Sequence, residues 1–159
     1  MKNIVITIPK KDIYFDVDAA THVFAKATES ANQQRADAME SDTGDTFTQN
    51  IITRFADRRV AELRDRLSHF IGTTTKSSHT VVISTGANYE FAFNVEEGFQ
   101  EELVTALADD MESYIANGVI ADWFTSAGDA QGPVYAQMLP VDLSNVLTYF
   151  VKRKFPTRV

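Results

Sequence analysis

The stretch from residue 47 to residue 71 constrains this chain most. Phe47, Ile51, Phe55, Val60, Leu63, Leu67, Phe70 and Ile71 recur at helical spacing, which predicts one long amphipathic helix. Its other face carries Arg54, Arg58, Glu62, Asp65 and Arg66, with Arg58 and Glu62, then Glu62 and Arg66, one turn apart. Gly72 is placed to stop it. A helix with one apolar stripe needs other elements to cover that stripe, so the chain is read as a bundle.

At 159 residues the chain is long enough for a core without metal or disulfide support, and residues 1–151 read as one domain. Hydrophobic content of 44% and charged content of 23% are those of a globular protein. No apolar run reaches bilayer length, and the opening Met1-Lys2-Asn3-Ile4-Val5-Ile6 turns polar too soon for a signal peptide. The absence of cysteine excludes disulfides, thiolate nucleophiles and cysteine-based zinc sites. A net charge of −7 argues against a general nucleic-acid binder. It is compatible with a surface that lets DNA pass without holding it.

The fold class expected is α+β, mainly α, with four to five helices, an N-terminal β-hairpin and a central β-hairpin. Ile4-Val5-Ile6-Thr7-Ile8 reads as a strand ending at Pro9, and Ile13-Tyr14-Phe15 as its return strand. Asp16 or Asp18 is then the expected cap of a helix from about Ala19, with a stripe of Val23, Phe24, Ala27 and Ala31. The polar run around Gly44 precedes the long helix. Residues 79–84 and 89–94 form the expected central hairpin, with Tyr89, Phe91 and Phe93 on the buried face. Phe99, Leu103, Leu107, Met111, Tyr114 and Ile115 mark a helix opening near Val95 and open to interruption at Asn117-Gly118. A final helix carries Tyr135, Leu139, Leu143, Leu147 and Phe150, with Pro140 kinking it or sitting in its first turn.

Motifs for catalysis are weak. Gly72-Thr73-Thr74-Thr75-Lys76-Ser77 lacks the second glycine and the strand-to-helix context of a phosphate-binding loop. Glu40, Asp42 and Asp45 do not have calcium-loop spacing, and capping of the long helix by Asp45 or Thr46 explains them. His22, His69 and His79 have no zinc-ligand spacing; His69, near a helix end, suits the helix dipole. No nucleophile elbow occurs. The expectation is therefore a non-enzymatic protein with no cofactor and no metal. The rivals are a hydrolase or nuclease with a carboxylate cluster that sequence does not reveal, and a small cytoplasmic binding or regulatory module.

Two charge features remain. Residues 96–112 hold seven acids and no basic residue. The first four favour a helix N-terminus, but Asp109, Asp110 and Glu112 lie beyond that benefit. Glu101, Glu102, Asp109, Asp110 and Glu112 are accordingly read as an acidic surface, solvated or facing a partner or channel. The end of the chain, residues 152–159, packs four of the fifteen Lys and Arg residues around an aromatic and a proline. Lys152, Arg153, Lys154, Phe155, Pro156 and Arg158 are read as a partner-docking tail.

The segment from Trp123-Phe124 through Leu139, Leu143 and Leu147 into Lys152-Arg153-Lys154-Phe155-Pro156-Thr157-Arg158 resembles the ending of head–tail connector (neck) proteins of tailed bacteriophages. Those are the neck proteins of phages and prophages of Bacteroides-like bacteria. The opening, Ile4-Val5-Ile6-Thr7-Ile8 with Ile13-Tyr14-Phe15-Asp16-Val17-Asp18 and Thr21-His22, is similar to the start of the same proteins. The resemblance implies a structural virion protein, made in the host cytoplasm and built into the particle's neck. It implies a homo-oligomeric ring, a dodecamer, between portal and tail, with DNA passing through and no membrane. Other minor virion proteins, such as a tail terminator, fit the same pattern.

Overall fold

In the computed structural model, the structure describes residues 1–71 and 86–152. The chain is α+β and mainly helical, as expected. Strand β1 (Lys2–Pro9) leads directly into α1 (Lys10–Glu29), followed by the short α2 (Gln33–Met39) and the long α3 (Thr46–Arg66). Strand β2 (Asn88–Val95), a single 3-10 turn (Glu101–Leu103), α4 (Val104–Ser126), α5 (Gln131–Ala136) and α6 (Leu139–Val151) complete it.

The N-terminal hairpin is replaced by a different pairing. Ile13, Tyr14 and Phe15 lie in α1, not in a strand, and α1 opens at Lys10 rather than near Ala19. Its buried positions Ile13, Val17, Thr21 and Ala25 are spaced by four, so the helical period already begins inside the expected return strand. Pro9 ends β1 in extended geometry and serves as the N-cap residue. The partner of β1 is the remote β2, antiparallel and in register from Lys2 opposite Val95 to Pro9 opposite Asn88. Ile4, Ile6 and Ile8 alternate inward beside Tyr89, Phe91, Phe93 and Val95, so the expected aromatic face of 89–94 is buried. The first strand of the expected central hairpin, 79–84, lies outside the described residues.

Asp45 caps α3 as expected, its carboxylate accepting from the Thr48 amide at 3.0 Å. The helix ends at Arg66, short of Gly72, and its buried face is Ile52, Ala56, Val60 and Leu63, followed by Leu67. Phe47 is exposed. Phe70 and Ile71, past the helix, lie along β2, where Asn94 donates to the Phe70 carbonyl at 2.7 Å.

Helix α4 is the central element, with ten buried residues, and contacts α1, α3, α5 and α6. It runs through Asn117-Gly118 without interruption, and it starts at Val104 because Val95 belongs to β2. Gly118 is required there. A Cβ would lie 2.6 Å from Arg59 Cδ, because the Arg59 side chain crosses α4 at this point. Arg59 continues to Asp122, donating from Nε at 3.1 Å and from Nη2 at 2.7 Å, and from Nη1 to Glu62 at 2.9 Å. Glu62 thus pairs with Arg59 instead of the expected Arg58 or Arg66. Pro140 sits in the first turn of α6. Phe150 fixes the other end of that helix, stacked on Phe70 at 4.3 Å between centroids and edge-on to Phe93 at 5.0 Å.

Candidate partner-binding surface

The members of the acidic run have different neighbours. Glu101 sits in the 3-10 turn and pairs with Lys2 of β1. Glu102 beside it is exposed. Asp109 is exposed, while the neighbouring Asp110 accepts a hydrogen bond from the Tyr149 hydroxyl of α6. Glu112, half-buried, turns toward α1 and shares a hydrogen bond with Asp16. At about 100° per residue, Asp110 and Glu112 point to different faces of one helix. Partial burial and the nearby Asp16, Asp12 and Asp109 push the Glu112 carboxyl up to about 7.

Of the basic tail, Lys152 is described. It closes α6 and is exposed, with Nζ 4.4 Å from the centre of the Tyr149 ring. Arg153, Lys154, Phe155, Pro156 and Arg158 lie outside the described residues, as does the loop 72–77. The three acids near Gly44 have separate tasks. Glu40 meets His22 Nδ1 at 2.6 Å, Asp42 accepts from the Gly44 amide, and Asp45 caps α3. His69 lies three residues beyond the end of α3 and is exposed. Among the described residues, no group of three or more His, Asp or Glu side chains is placed to hold a metal ion. No helix among them is long and apolar enough to cross a membrane.

Two surfaces that sequence reasoning did not single out stand next to these residues. The first is the outer face of α6. All seven of its exposed positions, 140, 141, 144, 145, 147, 148 and 151, are uncharged. The one charged residue of the helix, Asp142, is half-buried and accepts from Asn117 Nδ2 at 2.8 Å. The inner face, Val146 and Phe150, is buried, so among the described residues α6 is packed on one side and shows an uncharged face, part apolar and part hydroxyl and amide, on the other. Val141 is 61% exposed and Val151 67%. Leu147, expected on the inner stripe, also faces out. The signal was present in the sequence, since a surface helix with a single charge among thirteen residues is unusual.

The second surface is an open cleft of about 870 Å³ between α1 and the chain at 37–43. Asp18 holds its floor, accepting from Ser41 Oγ at 2.6 Å, the Thr43 amide at 3.1 Å and Thr43 Oγ1 at 2.5 Å. Asp37, Glu40 and Asp42 line it, against Lys11 and His22. Phe15, on its wall, is 71% exposed. Asp18 was expected to cap a helix; inside α1 it instead latches the loop that follows α2.

Comparison with protein-family models, with curated proteins and with solved structures finds no match for this chain.

Proposed function

We propose that this protein is a structural subunit of a tailed-phage neck, a head–tail connector that closes into a ring between portal and tail. The observation that supports a subunit role is the uncharged outer face of α6, which runs straight into the basic residues beginning at Lys152. An exposed helix face without charge, carrying Val141, Leu147 and Val151, suits contact with another protein surface. The viral setting rests on the resemblance of the two ends of the chain to connector proteins. In this reading the 152–159 segment attaches to the portal or to a neighbouring copy. The remaining acids keep the ring from holding DNA phosphates as the genome passes.

Deletion of residues 152–159 tests the reading. The truncated chain is expected to stay folded, with an unchanged circular-dichroism melt, and to be missing from purified capsids. Tailed particles assembling normally around the truncated chain would end the docking role. Electron microscopy of the full-length protein, alone and mixed with portal, is expected to show rings. Particles that contain none of this polypeptide would end the connector reading.

A further inference from the structure

A second bare stripe exists on the molecule. Phe15, Ala19 and Val23 are spaced by four along α1, and all three are exposed. Phe15 and Ala19 also line the cleft that Asp37, Glu40 and Asp42 border, so this stripe and the acidic cleft are one continuous surface. The other end of the chain carries the complement in the same order. The uncharged face of α6 (Val141, Leu147, Val151) is followed at once by Lys152-Arg153-Lys154-Phe155.

We infer that these two surfaces bind each other between copies: the outer face of α6 lies on the α1 stripe of the next molecule. The basic 153–158 segment of the first copy then enters the acidic cleft of the second. The inference deepens the subunit reading above and rests on it. Charge sets the direction. The α6 face carries no charge, so only an uncharged surface covers it without stranding an ion. The tail brings Arg153, Lys154 and Arg158 to a cleft holding four carboxylates against Lys11 and a histidine already paired with Glu40. Contact of α6 with a second α6 would cover that face but leave Phe15 in water and the tail without its acids. The register follows from the shared residues. Val151 is the last apolar residue before the tail and Phe15 stands on the cleft wall, so these two meet. Because one patch meets a different patch, the contact is heterologous, the kind that builds a ring when its rotation closes.

The absence of cysteine makes the test direct. Full-length Phe15→Cys and Val151→Cys chains are purified separately, mixed and oxidised, then resolved on a non-reducing gel. A disulfide-linked pair is expected in the mixture at least tenfold above either variant alone. A Val151→Cys sample that cross-links equally well by itself, or a mixture that gives no cross-link, overturns the inference. Charge reversal supplies the second arm. Lys154→Glu is expected to abolish the cross-link, and Glu40→Lys in the other partner to restore at least half of it. Loss without restoration would show that the cleft is not the tail's receptor. The two readings separate cleanly. A chain present in the phage neck that fails to cross-link removes this contact alone. A chain that cross-links but is absent from particles keeps the contact and removes the connector assignment.

Discussion

Gly118 and Arg59 show how one residue sets the distance between two helices. Alanine at 118 gains about 1 kcal/mol of helix propensity over glycine. Its Cβ, however, displaces the Arg59 side chain and disturbs the paired hydrogen bonds to Asp122, at a cost of about 1–3 kcal/mol. Gly118→Ala is therefore expected to destabilise the protein by about 1 kcal/mol in urea unfolding. In an Arg59→Ala background the same change is expected to stabilise; a loss in both backgrounds would refute the account. Glu112 makes a different prediction. Its folded-state value, about 7, lies above the ordinary 4.5, so between these limits the folded chain binds the extra proton. Stability from this group is full below about pH 4.5 and is lost as the pH rises through 7. Glu112→Gln keeps a hydrogen-bonding partner for Asp16 without the charge. It is expected to be about 1 kcal/mol more stable than the parent at pH 8, after allowance for solvent screening, with the gap closing by pH 4.5. A gap that stays constant with pH would rule the carboxyl pair out as its source.

Among the elements, α1 and the loop after α2 depend on Asp18. The three hydrogen bonds it accepts from Ser41 and Thr43 hold the loop that places Asp45 at the start of α3. Asp18→Ala removes the acceptor of Ser41 and Thr43 together, leaving the buried Ser41 hydroxyl with that of Thr21 alone, and is expected to cost about 2–4 kcal/mol in thermal unfolding. Asp45→Ala, which removes one exposed cap, should cost about 1 kcal/mol. Equal losses would mean that the latch adds nothing beyond capping. The same elements show how much of the fold was legible. The long helix, its Asp45 cap and the burial of Tyr89, Phe91 and Phe93 follow from local periodicity and capping chemistry, whereas the structure decides between the two places open to Pro140. The start of α1 did not, because Ile13-Tyr14-Phe15 is too short and β-rich in composition for period alone to distinguish strand from helix. The partner of β1 did not either, since pairing between strands as remote as Lys2–Pro9 and Asn88–Val95 leaves no local mark.

For the molecule as a whole, the exposed α6 face is where the proposed assembly can be separated from folding. Phe150 and Val146 anchor the helix, whereas Val151 touches little within its own chain. Val151→Asp is expected to leave monomer stability within about 0.5 kcal/mol while abolishing the proposed self-association in sedimentation at matched concentration. A large drop in melting temperature would mean that the face serves the monomer's own core. Of the candidate site, the sequence exposed the basic end and the acidic run, because charge is visible residue by residue. It did not reveal that Glu101, Asp110 and Glu112 serve three different neighbours, nor that Leu147 faces out, since both depend on the rotation of a helix about its axis. The sequence by itself determined the helical character, the Asp45 cap and the charge content, because these arise from contacts within a few residues. Only the tertiary structure decided which strands pair, where Arg59 crosses α4 and which face of α6 stays bare, because burial is settled by elements distant in the chain.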